Sequence, residues 1–166
     1  MKFYTLVFLS LAFGSAVYAQ GKFVSEKYKP LIGAKWQKDE DLPLLEGFMY
    51  RGGSMLSAID DEELFGTNWF AKGSTALVFF ERMGEDNTHE IMDVLEITGL
   101  KKNQEVKGGD CTDGEVEMIS LVALVNTSQA ERWKALKVWN FNRDKLRIES
   151  FNATRVTCLG MIGEDE

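Results

Sequence analysis

Residues Thr75-Ala76-Leu77-Val78-Phe79-Phe80 form a short, nearly unbroken apolar run rich in β-formers. That length and composition predict a strand buried on both faces. A polar turn, Gly84-Glu85-Asp86-Asn87-Thr88, separates it from a second apolar segment, Ile91 to Ile97, interrupted only by Asp93 and Glu96. Gly99 to Asn103 reads as a further turn and Gln104 to Cys111 as an edge-like third strand. The longest strand candidate contains Met118-Ile119-Ser120-Leu121-Val122-Ala123-Leu124-Val125. It reads as a central strand, with a buried helix as the competing assignment. Val138-Trp139-Asn140-Phe141 is extended in character, Asn142 to Lys145 is turn chemistry, and Leu146, Ile148 and Ser150 then alternate with Arg147 and Glu149. This is the clearest hairpin signal in the chain. Arg155 to Cys158 supplies a last short strand.

Two segments read as helices. Ser54 can cap a helix running to Phe65, with Met55, Leu56, Ile59 and Leu64 on one side and Asp60 to Glu63 on the other. Ser128-Gln129-Ala130-Glu131 has the spacing of a capping box, which predicts a short helix carrying Trp133 and Leu136. The fold class expected from these elements is α+β: a single, mainly antiparallel sheet with one or two short helices and one disulfide. Hairpin-length connections favour antiparallel pairing over crossover units.

The chain starts with the marks of a secretory signal peptide. Lys2 is followed by an apolar run from Phe3 to Phe13 and by Val17-Tyr18-Ala19, a small-residue exit. The apolar stretch is shorter than the roughly 20 residues needed to cross a bilayer. Expected organisation is therefore a signal peptide over 1–19, an N-terminal extension over 20–53 that is weakly ordered or packed on the domain, one domain over 54–162, and an acidic, disordered tail over 163–166. The reading places the protein outside the cytoplasm, periplasmic or secreted, with no membrane insertion after cleavage. Cys111 and Cys158 are the only cysteines. In an oxidising compartment they are expected to pair. Asn126-Thr127-Ser128 and Asn152-Ala153-Thr154 are glycosylation sequons, meaningful only in a eukaryotic source.

Charge narrows the function classes. The chain holds 19 basic and 26 acidic residues, a net charge of −7, and loss of residues 1–19 would remove only Lys2. Such a surface repels phosphate backbones and anionic headgroups and attracts basic partners. Nucleic-acid binding is thus not expected. The phosphate-loop, dinucleotide, nucleophile-elbow and zinc-protease motifs are all absent from the sequence. No catalytic set, cofactor or metal site is assigned. His89 is the only imidazole and reads as a solvent-exposed residue of a turn. Asp60 to Glu63, and Asp110, Asp113, Glu115 and Glu117, could supply oxygen ligands to calcium. The EF-hand comparison fails, because aligning Gly114 with the loop glycine puts Gly109 and Cys111 where carboxylates belong. Trp36 and Trp69 are the tryptophans least explained by periodicity, so they mark a possible ligand surface. Three functions fit these observations. The first is a non-catalytic exported module that binds an envelope or secreted protein, an inhibitor or immunity factor against a basic enzyme being one form. The second is a glycan or small-ligand module, and the third a hydrolase built on carboxylates or His89.

Overall fold

A computed structural model describes residues 21–58, 61–128 and 131–160. Among them are two antiparallel sheets and three single-turn 3-10 segments, Lys29–Leu31, Asp39–Asp41 and Pro43–Leu45, with no α-helix. The first sheet contains β1 (Lys35–Trp36), β2 (Met49–Met55), β3 (Leu64–Lys72), β4 (Thr75–Met83) and β5 (His89–Thr98), in the order β1-β5-β4-β3-β2. The second contains β6 (Gln104–Gly108), β7 (Cys111–Asp113), β8 (Val116–Glu117), β9 (Leu121–Asn126), β10 (Arg132–Asn142), β11 (Arg147–Phe151) and β12 (Val156–Leu159).

β4 explains the layering. Ala76, Val78 and Phe80 point between the sheets, where they pack with Phe65, Trp69, Val122, Trp139 and Phe141. Leu77 and Phe79 point the other way, onto Tyr28, Leu31, Trp36, Leu42 and Leu45 of the N-terminal segment. A strand that serves two cores has no polar alternation, because successive side chains go to opposite faces. A third apolar cluster gathers Leu121, Ala123, Val125, Trp133, Val138 and Val156 around the two cysteines on the far side of the second sheet.

Asp93 closes one side of the sandwich. Its buried carboxylate accepts backbone N–H bonds from Gly21 and Val94 on one oxygen and from Ile148 of β11 on the other, at 2.8–2.9 Å. Burial pushes its pKa up, and the three N–H donors oppose that shift.

The expected α+β fold with one sheet is therefore corrected to a nearly all-β fold with two sheets. Neither expected helix is present among the described residues: the first is replaced by the ends of β2 and β3 and their connection, the second by β10. In the first, Leu56 donates its N–H to the Phe65 carbonyl across a β2–β3 connection, and the Ser57 hydroxyl accepts from Phe65 N–H. Side-chain acceptors that could cap a helix hold a turn instead, an alternative these residues always offer the backbone. Ile59 and Asp60 lie outside the described residues. In the second, Arg132 to Lys134 pair with β12, which overrides helical propensity. Gln129 and Ala130 lie outside the described residues, as do the segment read as a signal peptide, 1–19, and the expected tail, 163–166.

The expected disulfide is present. Cys111 and Cys158 face each other as direct partners on β7 and β12, with their α-carbons 4.0 Å apart. No helix among the described residues is long and apolar enough to cross a membrane.

Candidate functional site

The outer face of the first sheet is apolar along most of its length, but polar groups converge near the Met55 end of β2. β4 continues its alternation past Phe79, so Glu81 falls on this face and is 0% exposed. A buried carboxylate is costly unless its oxygens are paired. Glu81 has three partners. The Trp36 indole N–H donates to Oε1 at 2.9 Å, the Asn68 amide donates to Oε2 at 2.7 Å, and His89 Nδ1 lies 3.1 Å from Oε2. Four strands thus supply one polar cluster: β1, β3, β4 and β5.

His89 opens β5 instead of lying in a solvent-exposed turn, and it is half-buried. Its ring packs on Trp36 with centroids 5.0 Å apart. The hydrogen bond that the His89 ring donates to Glu81 holds the imidazole pKa above its ordinary value, while burial opposes that shift. With Nδ1 committed to Glu81, Nε2 is the remaining ring nitrogen, and no hydrogen bond to it is present among the described residues.

Beside this pair lies a cavity of about 220 Å³. Asn68, Glu81, Met83 and His89 wall it, while Tyr50 and Met55 stand at its mouth. Two glycines line it, with different roles. A β-carbon on Gly53 would collide with Asn68 Oδ1 and lie 2.7 Å from the Thr67 carbonyl, so β2 approaches β3 there only without a side chain. Gly66 is different: a β-carbon there would make ordinary contacts, and its absence leaves the gap between Met55 and Met83 open.

The tryptophans singled out by sequence lie on opposite faces of the sheet. Both are 8% exposed. Trp36 braces Glu81, whereas Trp69 fills the inter-sheet core and packs over the α-carbon of Gly52. Neither presents an open stacking face. The acidic groups do not converge: Asp61 bonds Ala58 N–H and Arg143, and Asp113 pairs with Arg155. Among the described residues no three His, Cys, Asp or Glu side chains gather as a metal site. Chemically, the Glu81–His89 pair is the base-and-orienter half of a nucleophilic triad. The nucleophile half is not set against it, since the Ser54 hydroxyl bonds the Met55 carbonyl and both thiols are oxidised.

Glu81 escaped the sequence reading, which stopped the strand at Phe80. The alternation of Leu77, Phe79 and Glu81 was the available signal, because a carboxylate in register with buried residues must find donors. No protein-family model, no curated protein and no solved structure matches this chain.

Proposed function

We propose that the chain is a non-catalytic binding protein of an exported compartment, periplasmic or secreted, and that the cavity beside Glu81 and His89 takes its ligand. One observation carries this reading: a fully buried carboxylate, bonded through both oxygens and paired with a half-buried imidazole, borders an open cavity also lined by exposed Tyr50 and Met55. Burying charge without need destabilises a fold, so such pairs concentrate at functional sites. Binding is favoured over hydrolysis because His89 faces no hydroxyl or thiol partner among the described residues. The disulfide is consistent with export, and no helix among the described residues is long and apolar enough to cross a membrane.

Gly66→Val tests the reading, since it fills the gap with a good strand former and meets only ordinary contacts at its β-carbon. The wild type and this variant would be screened by NMR against amino acids, sugars, short peptides and metal ions. The expected result is a ligand class that shifts the His89 resonances in the wild type and not in the variant. If no compound shifts His89 beyond residues of the second sheet, the cavity is not a binding site.

A second reading, a protein partner, has its own observation. Among the described residues β2 is an edge strand paired only with β3, and on it Met49, Tyr50 and Met55 are 58%, 55% and 46% exposed. Exposed apolar side chains on a free edge favour strand addition by another chain. The acidic net charge favours a basic partner. Association that survives Met49→Lys and Met55→Lys would exclude this edge.

A further inference from the structure

We propose that Met55, Met83 and His89 form a binding site for a soft monovalent metal ion of the Cu(I) class. The proposal rests on the reading of this cavity as a ligand site and names its ligand.

The two thioethers lean over the same bare stretch of backbone. The point where a Gly66 β-carbon would sit is 3.5 Å from Met83 Sδ and 3.9 Å from Met55 Sδ. The sulfurs arrive from strands on either side of β3, because Met55 pairs with Gly66 while Met83 lies on β4. Thioethers are soft donors, and methionine has three rotatable bonds with which to close on an ion.

The third donor stands next to Met83. His89 is its direct cross-strand partner, which places their β-carbons about 5 Å apart. Both residues line the cavity. Neutral His89 that donates Nδ1–H to Glu81 presents an unprotonated Nε2. Glu81 is itself held by Trp36 and Asn68, so the ring orientation is fixed from behind. A carboxylate behind the non-ligating nitrogen is the support that metal-binding histidines generally have.

Two sulfurs and one imidazole suit Cu(I) and disfavour harder ions. Among the described residues Glu81 is the one carboxylate lining the cavity, and its three hydrogen bonds weaken the case for zinc or calcium. No thiolate competes, because both cysteines are joined. Ordinary gap-filling by methionine does not account for Met55, which is 46% exposed at the cavity it shares with Glu81 and His89.

The test is a titration of the untagged, disulfide-bonded protein with Ag(I), a redox-inert stand-in, followed by anaerobic Cu(I) against a chromogenic competitor. NMR would follow the methionine methyls and the His89 ring, and tryptophan fluorescence would report on Trp36. The expected result is one bound ion that shifts the Met55 and Met83 methyls and His89 together. Met55→Leu and Met83→Leu keep bulk and apolarity, and each should weaken binding about tenfold or more. Glu81→Gln should weaken it by about 10- to 100-fold. Met49→Leu should change nothing. Ag(I) binding that is unaffected by both leucine variants, or Zn(II) binding as tightly at His89, overturns the proposal. If Ag(I) leaves the site unmoved while another compound shifts His89 in the wild type but not in Gly66→Val, only the metal assignment falls. If nothing shifts His89, the cavity reading falls with it.

Discussion

Two buried polar residues of the first sheet lie on opposite sides of β3 and β4 and are treated differently by their surroundings. Thr67 is 2% exposed, and its hydroxyl has no hydrogen-bond partner among the described residues. An unpaired buried hydroxyl costs about 1–3 kcal/mol. Valine has the same shape without that cost, so Thr67→Val should raise the unfolding free energy by about 1 kcal/mol in urea denaturation. A loss of stability would mean that the hydroxyl has a partner, such as an ordered water. Glu81 is the opposite case, with every oxygen engaged, and it makes His89 a pH-dependent contributor. The folded imidazole pKa is raised, chiefly by the Glu81 hydrogen bond. Stabilisation from the pair is therefore full below the unfolded value of about 6.5 and is lost as pH rises through the folded value. In the metal-free protein, Glu81→Gln should flatten this slope and return the His89 midpoint towards 6.5. His89 is the only histidine, so an NMR titration reads it without assignment ambiguity. A wild-type midpoint at or below 6.5 would contradict the coupling.

At the scale of elements, irregularities in the strands decide which core each side chain enters. β10 carries Trp133, Ala135 and Val138 towards the third apolar cluster but Trp139 and Phe141 towards the inter-sheet core. Its register against β9 shifts between Ala135 and Lys137, so Leu136 is an extra residue that lies exposed. Without that bulge, one half of the strand would turn its aromatic side chains to the wrong face. Deleting Leu136 should cost at least about 3 kcal/mol, the scale of losing one buried aromatic. Near-wild-type stability in chemical denaturation would show that the register adjusts elsewhere. The same irregularities set the limit of what the sequence reveals. β4, β5 and the β10–β11 hairpin were legible because unbroken apolar runs or strict alternation lie between clear turns. β2 and β3 were not: Gly52, Gly53, Gly66 and Asn68 are poor strand formers, and Ser54 with the following acids imitates a helix start. Two of the glycines that obscured these strands, Gly53 and Gly66, line the cavity. Of the candidate site, the sequence offered one imidazole and no indication that Glu81, eight residues earlier, folds back against it.

The whole molecule stacks three apolar clusters through two sheets, and their attachments differ. The first sheet is held on both faces, by the N-terminal segment and by the second sheet. The third cluster depends on β7 and β12, where β12 pairs through three residues with β10 and three with β7. Such short ladders bury little, so the Cys111–Cys158 link, spanning 47 residues, should carry much of their stability. In the chain-entropy account, opening a loop of that length costs about 4 kcal/mol. The double replacement Cys111→Ala with Cys158→Ala should therefore lower the unfolding free energy by about that amount, with the cavity formed by the two small residues adding to it. None of Glu81, His89, Met55 and Met83 lies on β7, β10 or β12. In whatever fraction of the double variant remains folded, His89 should keep its raised midpoint, which separates damage to the third cluster from damage to the site. A loss below about 1 kcal/mol would mean that strand pairing already restrains the unfolded chain or the native edge. A loss near 4 kcal/mol that leaves the His89 titration intact would establish that the two ends of the sandwich are stabilised independently.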